Sequence, residues 1–165
     1  MKRGGQGARR LPLDAPGNHC YNSTMPYSYL EHTADVGIMA TGSTIEEAFE
    51  CGAEAMLNVM YDLETIECTR ELPVTGEAEN IALLFVEVLN EILSLQDIEG
   101  VALKRLSAEE ISESDGLYRF TGVAGGEPFD AGKHTVRTEA KAATYAGLDY
   151  TVEEDEHILR CIIDV

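Results

Sequence analysis

Residues 44–61, TIEEAFECGAEAMLNVMY, decide how the rest of the chain is read. Thr44-Ile45-Glu46-Glu47 has the form of a capping box, in which a hydroxyl and a carboxylate satisfy backbone N–H groups orphaned at a helix start. Ile45, Ala48, Phe49, Ala53, Met56, Leu57 and Met60 then recur at helical spacing, and Glu46, Glu47, Glu50 and Glu54 fall largely elsewhere. This predicts one amphipathic helix to about Tyr61. Downstream, after a strand expected around 66–74, Ile81, Leu84, Phe85, Val88, Ile92 and Leu95 form the stripe of a second helix starting near Glu77. Leu83, Val86, Leu89 and Leu93 widen that stripe, which implies burial on more than one side in the chain's own core, or else a partner contact.

Beyond residue 101 the pattern changes to strands, at 101–106, 118–123, 140–145, 148–152 and 158–164, with Ala146-Gly147 as a hairpin turn and 125–138 as a long loop. Upstream, 27–31 and 36–40 read as short strands flanking His32-Thr33-Ala34-Asp35. The class expected is α+β: two amphipathic helices packed on one face of a mainly antiparallel or mixed sheet of about seven strands.

At 165 residues the chain is about one domain long. Lys and Arg number 12 against 30 acidic residues, a formal charge of −18, and a body this negative repels nucleic-acid phosphates. Sequence-specific nucleic-acid binding is not expected. The acidity fits solubility or adaptation to salt, and also a cationic partner surface. Residues 1–24 are a separate unit, in which Lys2, Arg3, Arg9 and Arg10 oppose Asp14 alone. They read as a disordered basic leader or an upstream-start extension, with Met25 as an alternative start and 25–165 as a single domain. Without an apolar run of about 18 residues, the expectation is a soluble, cytoplasmic protein. Cys20, Cys51, Cys68 and Cys161 form no C-x-x-C pair and read as reduced thiols, with Cys51 and Cys161 acting as small hydrophobes.

Three segments carry candidate chemistry. The apolar strand 158–163 closes on Asp164-Val165, so a side-chain carboxylate stands beside the α-carboxylate; that end is either frayed in solvent or neutralised by a cation. His32 and Asp35 in their short junction suit metal ligands, an acid/base pair, or simple turn chemistry. Between Glu127 and Lys141, the cations Lys133, His134, Arg137 and Lys141 gather in an otherwise acidic protein. They suit a phosphate, a partner's acids, the carboxylates above, or a salt-bridged loop. There is no phosphate-binding glycine loop, no G-x-S-x-G elbow and no H-E-x-x-H.

The run Tyr29-Leu30-Glu31-His32-Thr33-Ala34-Asp35-Val36-Gly37, the helix start at 44–49, Lys133-His134, Thr138-Glu139-Ala140-Lys141-Ala142, Thr144-Tyr145 and Ile163-Asp164-Val165 together resemble the archease family in order and spacing. Val136-Arg137 departs from the glycine-containing form of that loop. The resemblance implies a non-enzymatic, metal-binding activator of an RtcB-type RNA ligase of tRNA splicing, promoting its guanylylation and turnover and broadening its nucleotide use, with GTP consumed by the ligase. It implies metal ligands Asp35, Asp164 and the terminal Val165. Partner or nucleotide contacts would come from His32, Lys133, His134, Glu139 and Lys141. An all-oxygen site suits one hard divalent cation, Ca²⁺ first, then Mg²⁺ or Mn²⁺. Two other readings stay open: a chaperone or modulator of other RNA- or DNA-processing proteins, and a metal-dependent phosphoester hydrolase.

Overall fold

Thr44 is the N-cap of α1 (Ile45–Met60), its hydroxyl accepting the Glu47 N–H at 3.1 Å. The Glu47 carboxylate reaches one residue further back than a regular capping box requires, accepting from the N–H of Ser43 at 2.9 Å and from the Ser43 hydroxyl. These elements belong to a computed structural model that describes residues 26–30 and 35–165. The expected leader, Met25, Cys20 and His32 lie outside the described residues.

The strands are β1 (Tyr27–Leu30), β2 (Asp35–Gly42), β3 (Arg70–Ala78), β4 (Val101–Ser114), β5 (Leu117–Pro128), β6 (Ala142–Glu153) and β7 (Glu156–Asp164), and the second helix, α2, is Ile81–Glu99. The α+β class with two helices and seven strands is as expected. The strands, however, divide into two antiparallel sheets, ordered β1-β2-β7-β6 and β3-β5-β4. Each helix packs on both: α1 against β2 and β4, α2 against β3 and β6. Contact with two sheets explains the wide apolar stripe of α2, where Leu84, Phe85, Val86, Val88, Leu89 and Ile92 are all fully buried.

Several boundaries differ from the sequence reading, each for a local reason. Residues 77–78 finish β3, and α2 starts later because Asn80 supplies the cap, its Oδ1 accepting the Leu83 N–H at 2.9 Å. β4 continues beyond 106 to a turn at Asp115-Gly116, its exposed outer residues carrying no apolar alternation to reveal it. β5 runs on past 123 to Pro128, through the Gly125-Gly126 pair at which the sequence reading starts the loop expected at 125–138. The segments expected as two strands around Ala146-Gly147 are the single strand β6. Gly147, at φ 62°, sits in a bulge where the register shifts between Thr144 and Asp149. The hairpin turn into β7 falls at Glu154-Asp155 instead, both at positive φ.

At the centre, Phe49 of α1 packs edge-on to Phe85 of α2 (centroids 5.3 Å apart) and stacks on Phe120 of β5 (5.6 Å). Cys51 and Cys161 are buried, and burial pushes the Cys161 thiol up to about 12, so it serves as a small hydrophobe. No helix among the described residues is long and apolar enough to cross a membrane.

The two helices meet through Gly52, where an added Cβ would lie 2.3 Å from Phe85 Cζ. Gly52→Ala should therefore cost about 1–3 kcal/mol through overpacking, measured by urea denaturation. Gly52→Ala with Phe85→Leu should recover part of that loss.

Candidate functional site

The pairing of β2 with β7 sets Asp35 directly opposite Asp164. The same register puts Ile38 opposite Cys161, both in the core. Side chains alternate along a strand, so three residues further on the two aspartates lie on the face turned away from that core. Because β7 runs between β2 and β6, Asp164 is also flanked by Ala142, and its carbonyl accepts the Lys141 N–H at 2.8 Å. Two opposed carboxylates on one face destabilise a strand pair unless positive charge accompanies them. Val165 follows, partly buried against the core.

This donor set fits a hard divalent cation, since carboxylate oxygens are what such ions take. Asp35 and Asp164 would supply the side-chain ligands, and the Val165 carboxylate named by the resemblance would be a third. No group of three or more His, Cys, Asp or Glu side chains converges among the described residues, so side chains alone do not complete a metal cluster there.

Arg137 shares a hollow of about 440 Å³ with Asp35, Tyr29 and Asn58. Its guanidinium donates to Asn58 O (3.1 Å) and Asn58 Oδ1 (3.0 Å), and lies 3.8 Å from Asp62. Sequence reasoning placed Arg137 in the cationic segment without singling it out as a site residue. Lys133 is occupied elsewhere: its ammonium is 2.8 Å from Glu127 and 3.5 Å from Glu67. His134 is buried, with Nδ1 accepting the Asp130 N–H at 3.0 Å and Nε2 2.8 Å from Glu127 Oε1. With Nδ1 an acceptor, the proton sits on Nε2 and the neutral ring donates to Glu127. Together these bonds hold the loop 129–141 on the end of β5.

The loop is then strapped across the end of α1. Asp62 N–H donates to Thr135 O (2.9 Å), Arg137 N–H donates to Met60 O (2.7 Å), and Tyr61 bridges Val136. Beyond the strap opens a cleft of about 810 Å³ between the ends of both helices, reached by Glu139 and Lys141 from the loop and by Asp97 from α2. Burial first, and the nearby Asp97 carboxylate second, raise the Tyr61 hydroxyl above its usual range. Of the eight Lys and Arg side chains after residue 25, six pair with carboxylates: Arg70–Glu99, Arg105–Glu71, Arg119–Glu77, Lys133–Glu127, Arg137–Asp62 and Arg160–Asp149. Lys104 and Lys141 make no such pair among the described residues. Lys141 thus combines an unpaired ammonium with a backbone bond to Asp164. Asp97, Tyr61 and Phe129 escaped sequence reasoning, because helix ends and a loop distant in the chain meet only in the fold.

Residues 27–165 match the Archease protein family (MTH1598/TM1083). The chain belongs to the archease family. Protein archease of Methanosarcina mazei is 39% identical over 123 residues, covering 74% of this chain and 84% of that protein. Protein archease of Pyrococcus furiosus is 40% identical over 119 residues, covering 72% and 83%. The solution structure of Methanobacterium thermoautotrophicum protein 1598 superposes with a TM-score of 0.74 at 31% identity, covering 85% of this chain and 99% of that one. The crystal structure of a Thermotoga maritima protein described as an archease, possible chaperone, shares the fold with a TM-score of 0.51 at 21% identity over 82% and 94% of the two chains.

Among the described residues of this archease domain the most strongly shifted carboxylate is that of the loop anchor. Bonds from Lys133 first, then from the Glu67 N–H and from His134, hold Glu127 down at about 2, against an ordinary 4.5. A group lowered on folding stabilises fully above its unfolded pKa, and that contribution is lost as pH falls from about 4.5 through about 2. Thermal melts across that window should show a steeper loss for the natural protein than for Glu127→Gln, and equal slopes would remove Glu127 as the anchor.

Proposed function

We propose that this archease-family protein is a non-enzymatic activator of an RtcB-type RNA ligase of tRNA splicing, acting in the cytoplasm to promote ligase guanylylation and turnover and to broaden its nucleotide use. The observation that supports this most directly is the cross-strand pairing of Asp35 with Asp164 on the outward face of the sheet, in a chain of this family. The description of the Thermotoga maritima archease as a possible chaperone accords with a protein that acts on another protein.

In this reading the carboxylates of Asp35, Asp164 and Val165 hold one divalent cation, Ca²⁺ first and Mg²⁺ or Mn²⁺ as alternatives. When bound, such an ion neutralises the opposed aspartates and offers a Lewis-acidic face to a partner. The chain's own residues do the positioning. β7 presents Asp164 between β2 and β6, and Arg137, tethered to Asn58, brings its charge to the hollow shared with Asp35. Glu139 and Lys141, carried on the strapped loop, contact the ligase or its nucleotide, and His32 does so from the chain just before Asp35. Lys133 and His134 serve that contact by anchoring the loop through Glu127. The acidic body steers the encounter with a basic, RNA-binding partner, so association weakens with salt.

Single-turnover guanylylation of the cognate ligase, with GTP and each of Ca²⁺, Mg²⁺ and Mn²⁺, tests the proposal. The natural protein should accelerate the step. Asp35→Asn and Asp164→Asn should each lower divalent-ion affinity by tenfold or more, roughly 1.4 kcal/mol, and lower stimulation in parallel. Full stimulation by an Asp35→Asn protein that no longer binds the ion would remove the ion from the mechanism, and no stimulation by the natural protein would sink the activator reading.

A further inference from the structure

The 810 Å³ cleft between the helix ends is distinct from the carboxylate corner, and its lining is specific enough to name an occupant. Leu93 and Val101 make part of its apolar lining, and Tyr61 and Phe129 stand with ring centroids 6.4 Å apart. Asp97 and Glu139 bring two carboxylates that make no hydrogen bond or ion pair among the described residues. Aromatic faces and unpaired carboxylates together suit a guanidinium or ammonium group whose aliphatic stem lies along the apolar wall.

Gln96 adds an independent sign. The residue lines the cleft and is only 5% exposed, and its Oε1 is taken up by the Leu103 N–H at 3.1 Å. For its two N–H donors, Nε2 has among the described residues only the Met60 thioether, at 3.5 Å. A thioether is a weak acceptor, and a buried donor left without a good partner is costly. An entering ligand that offers a carbonyl oxygen would satisfy it. A peptide carrying Arg or Lys supplies both the cation and the carbonyl. A phosphate-bearing ligand would meet two carboxylates, Asp97 and Glu139, against the single ammonium of Lys141, and a polyamine has no acceptor for Gln96.

We infer that this cleft is a docking site for an arginine- or lysine-bearing peptide segment of a partner protein, its cation held by Asp97, Glu139 and the Tyr61–Phe129 pair and its backbone carbonyl by Gln96. The cleft opens beside the carboxylate corner, since Lys141 lines it while its backbone N–H donates to Asp164 O. A segment seated there lies next to Asp35 and Asp164. In identifying the segment's owner with the ligase, the inference rests on the activator reading; in the chemistry of the cleft it does not.

The test uses the full chain, isotopically labelled, titrated with a short synthetic peptide of alternating arginine and leucine, with its glutamate–leucine counterpart, and with spermine. Saturable shifts of the Gln96 side-chain amide and of the Tyr61 and Phe129 rings are expected with the arginine–leucine peptide alone. Asp97→Asn with Glu139→Gln should weaken that binding tenfold or more, and Asp97→Lys with Glu139→Lys should switch preference to the glutamate–leucine peptide. Equal shifts with spermine, shifts elsewhere on the acidic surface, or unchanged binding by the neutral double variant would overturn the inference. Gln96 shifts on neutralising Lys2, Arg3, Arg9 and Arg10 with no peptide present would give the cleft to the chain's own leader, and concentration-dependent Gln96 shifts would give it to a second copy; either overturns it. In the guanylylation assay, the neutral double variant should keep its divalent-ion affinity and lose tenfold or more of its stimulation. If the natural protein fails to stimulate while the peptide arm succeeds, the activator reading falls and the cleft stands. If both proteins stimulate equally, the cleft is not where the ligase docks.

Discussion

In the pairing of β2 with β7, Ile38 faces Cys161 and Ala40 faces Leu159 inside the core, while Asp35 faces Asp164 on the opposite side. A slip of one residue would turn the buried Ile and Leu side chains to solvent and drive a carboxylate into the core, at a cost no surface contact could offset. The buried rows therefore determine where the aspartates meet. The corner is well defined because of hydrophobic burial several residues away from it, not because the carboxylates attract each other; they repel. The same strand order places Lys141, leading into β6, in backbone contact with Asp164, so the corner and the cleft share one segment of chain.

The loop between β5 and β6 shows how an acidic protein distributes its few cations. Among the described residues, six of the eight Lys and Arg side chains are committed to carboxylate pairs. Lys133 goes to Glu127, where His134 and the Glu67 N–H also converge. Exposed pairs of this kind contribute little singly, but Glu127 gathers several donors on one buried carboxylate, and such networks bring geometric definition as well as energy. Its consequence is positional: the strap over Met60 and Asp62 stays in place, with Arg137 toward the hollow of Asp35 and Glu139 and Lys141 toward the cleft. The residues that organise this region and those available to a ligand are thus different, although they lie within a few positions of one another.

Both helices were legible in the sequence, because helical periodicity and capping are local: Thr44 and the stripe from Ile45 to Met60 needed nothing from the rest of the chain. The strands were legible where one face is buried and apolar, as at 36–40 and 158–164. They were illegible in the exposed outer half of β4 and at the buried end of β5, where Gly125-Gly126 carry no side chain to mark a strand. Gly147 misled because its left-handed backbone serves a tight turn and a bulge equally well, and only the partner strand distinguishes them. For the site, the resemblance pointed to Asp35 and Asp164, but no spacing rule predicts that they are cross-strand neighbours. Arg137 was visible only as one cation among several.

What the sequence by itself determined is the α+β class, the two amphipathic helices, the acidity and the family, since composition, period and motif order are properties of the chain. The division of seven strands into two sheets, the meeting of Asp35 with Asp164, and the convergence of Tyr61, Gln96, Asp97, Phe129 and Glu139 around one cleft were decided only by tertiary structure. The physical reason is that burial of the Phe49, Phe85 and Phe120 core selects one register and one helix placement out of many that the local pattern would allow.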